Sequence, residues 1–165
     1  IKLSSTGSLS SRSYRTSGPF SNTGPIPPRA DKESTYTVTW TITNTTNDLS
    51  GTTVSGVLPQ GVEWKNQASP ASERINYNAD TRTVTWNAGN VTSGTGFNFS
   101  PREVSFQVGF TPSVNQAGSV GILVNAVNLS LTDTYTASPL NLTLSPVTTQ
   151  FSDPSFSAGQ DVIVK

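Results

Sequence analysis

The chain has 165 residues, enough for one domain with a substantial apolar core and short for two. Only 12% of the residues are charged and the formal net charge is zero, so the clustered Lys and Arg side chains that nucleic acids and anionic membrane surfaces require are missing. The chain contains no Cys and no His, which excludes disulfides, thiol nucleophiles and the commonest catalytic base and metal ligand.

Ser and Thr make up about 29% of the chain, which together with the low charge and the missing Cys favours an exported surface protein of a bacterium or an archaeon. The chain has no Met and starts at Ile1, which we interpret as a mature form or a fragment of a longer protein. No apolar run is long enough to span a bilayer, and we therefore expect no membrane insertion.

Residues 1–30 are predicted to form an extended N-terminal arm, within which residues 8–15 give one edge strand. The arm contains Gly24-Pro25-Ile26-Pro27-Pro28. Proline fixes an extended backbone and removes a hydrogen-bond donor. This segment therefore favours a crossing over the end of a sandwich.

The run from Tyr36 to Asn44 alternates large apolar residues with threonines without a break. A period of two predicts a β-strand with one buried face. Trp40 lies in the apolar phase and is predicted to be in the core, whereas the threonines are predicted to face solvent or a neighbouring molecule.

Similar segments recur about every dozen residues, separated by turn residues. We predict further strands at residues 52–58, 74–77, 82–87, 103–111, 120–131 and 140–144. The apolar phase changes within residues 120–131, which predicts a β-bulge near Asn125 or Ala126. No segment has a helical period. Residues 31–150 are therefore predicted to form an all-β, antiparallel immunoglobulin-like β-sandwich of about 7–9 strands, with a closed barrel as the alternative.

Three motifs carry a resemblance to a known family. They are Tyr36-Thr37-Val38-Thr39-Trp40-Thr41-Ile42-Thr43-Asn44, Leu58-Pro59-Gln60-Gly61-Val62 and Val84-Thr85-Trp86-Asn87-Ala88-Gly89. With them, residues 27–136 resemble the prokaryotic conserved-repeat domain of large secreted and cell-surface proteins. The resemblance implies an immunoglobulin-like sandwich, an extracellular location, a stalk, adhesion or envelope role, and no catalytic residues. Copies in that family usually occur in tandem, whereas this chain holds one.

Lysines and asparagines near strand ends allow the hypothesis of an internal isopeptide bond. The set would join Lys32 or Lys65 to Asn125, or to Asn44 or Asn87, with Asp133 or Glu103 as a buried acid whose pKa is raised by desolvation. The alternative is that both lysines are solvated loop residues.

Trp64 follows a turn and is the candidate for an exposed binding surface, together with the loop Gly89–Pro101. The acidic residues are dispersed, without the dense spacing of a calcium loop or a pair typical of a glycosidase. The sequence therefore predicts no catalytic residue, metal or cofactor.

Both ends of the chain carry apolar residues in strand-like segments. Val162, Ile163 and Val164 lie in a C-terminal tail of residues 151–165, and Ile1 and Leu3 lie in the arm. Such a segment adds to an exposed sheet edge. Within one chain it closes the sandwich, and between chains it builds an open polymer by strand donation.

These observations predict a non-enzymatic structural module of an extracellular cell-surface protein, stalk or filament, self-assembling by strand donation from a terminus. Its partners would be other copies of itself or neighbouring domains of a larger surface protein, and neither nucleic acid nor membrane insertion is expected. The alternative is an adhesin-type carbohydrate- or protein-binding domain that recognises glycans or host and cell-surface proteins.

Overall fold

A computed structural model describes residues 6–165, which form β-strands joined by turns. The strands are β1 (Gly7–Tyr14), β2 (Ser34–Asn44), β3 (Leu49–Val57), β4 (Val62–Ser69), β5 (Arg74–Asn78), β6 (Thr83–Val91), β7 (Arg102–Phe110), β8 (Ile122–Val124), β9 (Val127–Asp133), β10 (Ser138–Leu144) and β11 (Val147–Thr148). Within residues 6–165 the only helical element is the 3-10 turn Val114–Gln116. No helix in this part of the chain is long and apolar enough to cross a membrane.

Two antiparallel sheets carry the fold. One has the strand order β1-β2-β7-β4 and the other the order β10-β9-β3-β6-β5, while β8 and β11 pair beside them. The prediction of an all-β, immunoglobulin-like sandwich is confirmed, with nine strands in the two main sheets.

The core is built on β2. Tyr36, Val38, Trp40 and Ile42 have no exposed surface, and Trp40 meets Phe106 of β7 edge to face with 4.9 Å between the ring centroids. The other main sheet contributes Val54, Val84, Trp86, Leu129 and Leu131. Because each sheet buries only one apolar face, the two sheets stabilise each other by covering those faces.

The threonine face of β2 departs from the sequence prediction. Thr35, Thr37 and Thr39 are at most 7% exposed, although this face was predicted to meet solvent or a neighbour. Residues 15–25, which we name the strap, cross the outer face of the four-stranded sheet and contact these threonines. The strap thus crosses a face of the sandwich before the chain enters the proline-rich segment that was predicted to cross its end.

Polar side chains fasten the strap to the sheet. The guanidinium of Arg15 donates to the carbonyl oxygen of Thr35 in β2 at 2.5 Å, and within the strap it donates to the carbonyl oxygens of Thr23 and Gly24 at 2.7 and 2.6 Å. From β7, the amide of Gln107 donates to the carbonyl oxygen of Ser21 at 3.0 Å. Besides one backbone hydrogen bond, from the N–H of Thr35 in β2 to the carbonyl oxygen of Thr23 at 2.8 Å, the strap satisfies its polar backbone groups through side chains.

Residues 120–131 form two strands where one bulged strand was predicted. β8 ends at Val124 and β9 begins at Val127, and between them the N–H of Asn125 donates to the carbonyl oxygen of Val57 at 2.9 Å. β8 pairs with β11, while β9 stays in the five-stranded sheet. The change of apolar phase near Asn125 and Ala126 therefore marks a switch between sheets.

Side chains close the sandwich between β4 and β5. Trp64 of β4 stacks on Tyr77 of β5, with ring centroids 5.7 Å apart. Glu73 accepts a hydrogen bond from the indole N–H of Trp86 at 2.8 Å and pairs with Arg102 at 2.8 Å. Both clusters join one sheet to the other, so this side of the sandwich is closed by ring packing and a charged pair.

β2 spans the sandwich and defines two poles. The entry pole lies at its Asn44 end, where Thr6 hydrogen-bonds to the loop after β2. The exit pole lies at its Ser34 end, where Val164 hydrogen-bonds to the segment before β2. The 11 residues of β2 separate the poles by about 35 Å.

Gly56 of β3 permits a close approach inside the sandwich. A Cβ atom there would lie 2.6 Å from a methyl carbon of Val124 and 3.4 Å from the ring of Trp40. We expect Gly56→Ala to lower the free energy of unfolding by about 1–3 kcal/mol, because overpacking outweighs the gain in strand propensity. Urea unfolding measures the effect, with Ser55→Ala as the control. An unfolding midpoint that is unchanged or raised would contradict the close approach.

Asp153 fastens the start of the strap. Its side chain is 3% exposed and accepts hydrogen bonds from the backbone N–H groups of Arg15 and Ser17 and from the hydroxyl of Thr16. Desolvation by burial raises the pKa of this carboxyl. The hydrogen bonds outweigh that effect and hold the pKa below its ordinary value of 3.8.

A carboxyl whose pKa is lowered by folding stabilises the fold above its unfolded pKa, and this stabilisation is lost as the pH falls through the folded value. We therefore expect the free energy of unfolding to fall below about pH 4. Asp153→Asn should flatten part of this fall and cost about 1–3 kcal/mol at pH 7. Denaturant unfolding between pH 2 and 7 checks both effects, with Asp80→Asn in an exposed turn as the control. A wild-type pH dependence in Asp153→Asn would exclude this role.

Candidate functional site

Residues 162–164, which we name the tail strand, occupy a seat at the exit pole of their own chain, where two isolated β-bridges pair Val162 with Val120 and Val164 with Arg29. Ile163 is 1% exposed and belongs to the core, whereas Val164 beside it is 41% exposed. The segment therefore has one buried side, with Ile163, and one exposed side, with Val164. The other predicted assembly residues, Ile1 and Leu3, lie outside the described residues.

Backbone hydrogen bonds hold the tail strand from two directions. Four of them, of 2.7 to 2.9 Å, join Val164 to Pro28 and Ala30, and Ile163 to Gly118 and Ser119. Residues 28–30 and 118–120 thus form a slot that we name the seat, and it takes one extended segment with both backbone edges satisfied.

A buried threonine anchors the segment that leads into the tail strand. The hydroxyl of Thr149 donates to the carbonyl oxygen of Asp161 at 2.7 Å and accepts from the N–H of Gly121 at 3.0 Å. Residues 149–160 between β11 and the tail contain no strand or helix. The tail strand is therefore connected to the sandwich through irregular backbone.

Exposed apolar side chains lie at both poles. At the entry pole Phe97 is 68%, Phe99 64% and Tyr135 56% exposed. At the exit pole the exposed apolar residues are Val57, Val114, Val120, Ile122 and Val164, at 40% to 51%. The two poles are thus chemically unlike, since one is aromatic and the other aliphatic.

A tight turn presents the two phenylalanines of the entry pole. The carbonyl oxygen of Gly94 accepts hydrogen bonds from the N–H groups of Phe97, Asn98 and Phe99 at 2.8 to 3.2 Å. Gly94 itself has a φ of 81°, which glycine adopts without strain. The sequence pointed to the surrounding loop Gly89–Pro101 but not to these rings. The available signal was two aromatic residues in a segment without a strand pattern.

Trp64, the predicted binding residue, is half-buried on β4. Its ring stacks on Tyr77 and lies 5.5 Å from the ring of Phe106, so it packs against the edge of the core. Trp40 and Trp86, which the sequence assigned to the core, have no exposed surface.

The residues of the predicted isopeptide set lie at both poles. Lys65 pairs with Glu33 at 3.1 Å near the exit pole, where Lys32 is exposed and Asn125 is half-buried. Asp133 lies at the entry pole, where it accepts hydrogen bonds from the side chain of Asn47 and from backbone N–H groups of the next turn. The length of β2 thus separates Asp133 from both lysines, and Glu103, the other proposed acid, is exposed.

Acidic residues do not gather into a metal site within residues 6–165. No group of three carboxylates in this part of the chain has the geometry to hold a metal ion. Glu73 and Asp153 serve instead to fasten the fold, through the Arg102 pair and through the strap.

The fold is similar to that of BcpA, the major pilin subunit of Bacillus cereus. A single-residue variant of BcpA superposes with a TM-score of 0.53 at 12% identity, over 87% of this chain and 40% of that chain. A second BcpA structure gives a TM-score of 0.50 at 11% identity, over 87% of this chain and 39% of that chain. This chain therefore spans about two fifths of the length of the pilin subunit, and the likeness is one of fold.

The major pilin SpaD of Corynebacterium diphtheriae is a more distant likeness, with a TM-score of 0.46 at 12% identity, over 92% of this chain and 38% of that chain. No protein-family model and no curated protein matches the sequence.

The separation of Asp133 from the lysines has a consequence for the mass of the chain. An isopeptide bond needs a nearby buried acid to move protons, and Lys65 is instead held by Glu33. We expect the intact mass of the purified protein to equal the mass calculated from its sequence. A mass lower by one ammonia, located by peptide mapping to Lys32 or Lys65, would show that the bond forms.

Proposed function

We propose that this chain is a non-enzymatic structural module of an extracellular surface assembly, in which copies or neighbouring domains join pole to pole. The observation that carries the proposal is that the two poles lie at opposite ends of β2 and expose unlike apolar surfaces. The fold that the chain has in common with BcpA, a major pilin subunit, supports it.

Contacts between unlike poles would repeat in one direction. When a surface at one end of a molecule binds a different surface at the other end of the next, the contact does not close and an open filament grows. The aromatic turn with Phe97 and Phe99 is suited to cover the aliphatic exit pole, because burial removes apolar area from water on both partners.

We infer further that the tail strand is exchanged between copies. The seat makes only backbone hydrogen bonds to the tail strand and buries one side chain, Ile163. The tail of a second copy would make the same contacts, and the irregular segment 149–160 would supply the reach. Exchange of identical elements is a low-cost route from monomer to assembly.

The charged groups also support a structural role. Glu73 is desolvated by burial, which raises its pKa, but hydrogen bonds from Arg102 and Trp86 hold the pKa below its ordinary value. Such a carboxylate stays hydrogen-bonded to Arg102 and Trp86. A catalytic acid or base at neutral pH would need the opposite shift.

Glycan or protein binding through Trp64, the second function that the sequence suggests, has less support. The ring already lies between Tyr77 and Phe106, and its stacking there helps to join the two sheets. To stack on a ligand, the ring of Trp64 would first have to lose its contacts with Tyr77 and Phe106.

Engineered cysteines test the exchange, because the chain has no Cys of its own. Val120 and Val162 form an antiparallel bridge between the seat and the tail strand, a spacing suited to a disulfide. We mix the single variants Val120→Cys and Val162→Cys at concentrations that give filaments by electron microscopy, and then oxidise. Strand exchange predicts a disulfide-linked dimer on a non-reducing gel.

Two controls make this outcome specific. Val120→Cys mixed with Asp80→Cys should stay monomeric on the gel, because Asp80 lies in an exposed turn between β5 and β6. The double variant Val120→Cys/Val162→Cys, oxidised before assembly, locks the tail strand in its own chain and should not form filaments. Filaments from the locked variant would contradict strand exchange but not pole-to-pole contact. A monomer by ultracentrifugation at every concentration would contradict both.

A further inference from the structure

The outer face of the four-stranded sheet carries a polar groove beside the strap. Two adjoining concavities of about 260 and 190 Å³ lie there, and both are lined by Tyr14 and Thr39. The strap covers the part of this face nearer the exit pole, and its residues 17–19 form one wall of the larger concavity. The sheet itself is the floor.

The strand register arranges the floor in rows. In one row Arg12 of β1 faces Thr39 of β2, which faces Ser105 of β7. In the next row Thr41 of β2 faces Glu103 of β7. Strands lie about 4.8 Å apart, so each row spreads its polar groups over roughly 10 Å across three strands.

The hydroxyl groups of the floor keep hydrogen-bonding capacity. Thr39 and Ser105 share one hydrogen bond of 2.8 Å between their hydroxyl oxygens. Each hydroxyl has one donor and two acceptor lone pairs, so this bond leaves one donor and three lone pairs. Both residues are at most 7% exposed, so these hydroxyl groups form the polar base of the groove, and the exposed side chains at its rim provide the hydrogen bonds to a ligand.

One charged group of each sign flanks the floor. Glu103 is exposed and accepts a hydrogen bond from Thr41 at Oε2, at 3.0 Å, which leaves Oε1 without a partner among residues 6–165. Arg12 is also exposed and makes no ion pair within this part of the chain. Because the charges are opposite, the groove favours neither an anion nor a cation and offers strong acceptors and donors to a neutral polar ligand.

Tyr14 supplies the apolar element that such a ligand needs. It is half-buried and stands where the two concavities meet. The face of a pyranose ring is apolar and its rim carries hydroxyl groups. An aromatic side chain beside convergent polar groups therefore matches both surfaces of a sugar.

We propose that this groove binds a neutral oligosaccharide chain, with Tyr14 stacking on one sugar ring while Glu103 and Arg12 hydrogen-bond to its hydroxyl groups. The site lies on the outer face of the four-stranded sheet, between the strap and the entry pole, and it gives the structural module a ligand of its own. The proposed glycan site thus lies at the β1 edge of the four-stranded sheet, whereas Trp64, the residue suggested by the sequence, lies at the opposite edge.

Titration calorimetry of the full chain with cellohexaose, chitohexaose, mannohexaose and xylohexaose tests the proposal. We expect at least one to bind with a Kd below about 1 mM. Tyr14→Ala and Glu103→Gln should each weaken that binding at least tenfold, while Tyr14→Phe, which keeps the ring, should stay within about threefold of the wild type.

Tyr135→Ala at the entry pole and Glu63→Gln on β4 are the matched controls, since both residues are exposed and neither lines the groove, and the Kd of each variant should equal that of the wild type. Thermal unfolding verifies that each variant is folded, and if Tyr14→Ala is not, Glu103→Gln and Arg12→Gln decide. No binding by any of the four hexasaccharides would overturn the proposal, as would binding that the groove variants leave unchanged. Filament formation by the same variants is a separate readout, so loss of the groove is distinguishable from loss of assembly.

Discussion

Burial of β2 on both faces is the constraint on which the rest of the structure depends. Its apolar face needs the second sheet, and its threonine face needs a cover that can satisfy hydroxyl groups. The strap provides that cover through side chains such as Arg15 and Gln107. A strand covered on both sides is rigid along its length, so it fixes the distance between the poles as well as the core. The groove begins where the strap stops covering the face of β2.

Local chemistry made much of the fold predictable. Alternation in Tyr36–Asn44 identified β2 and its buried side, and the strands predicted at residues 74–77 and 82–87 are β5 and β6, which pair antiparallel. The strap was not predictable in the same way. Threonines on one face of a strand indicate a solvent-exposed face, and the strand itself does not show whether a distant segment covers them. Residues 120–131 show the same limit, since a change of apolar phase fits either a bulge or a switch between sheets.

The candidate sites were less predictable than the strands, because they depend on which distant residues meet. Lys65 lies within β4 and Asp133 ends β9, and the register of the sheets places them at opposite poles. Trp64 follows a turn, yet Tyr77 from the other sheet meets its ring. Tyr14 and Glu103 come together only because β2 lies between their strands. Sequence alternation assigns a side chain to a face of its strand, and long-range pairing decides its neighbours there.

The seat has a property that makes exchange of the tail strand physically reasonable. Each of its two sides makes a backbone hydrogen bond without the tail. The N–H of Asp31 donates to the carbonyl oxygen of Pro112 at 2.9 Å beside one side, and the N–H of Ser119 donates to that of Gln116 at 3.1 Å in the other. Burial of Ile163 contributes about 1.5–3 kcal/mol whichever copy supplies it. The contacts therefore do not decide between a closed and an exchanged tail. Two quantities decide: the entropy lost when the segment 149–160 closes on its own seat, and the concentration of neighbouring seats. An array of copies aligned pole to pole raises that concentration.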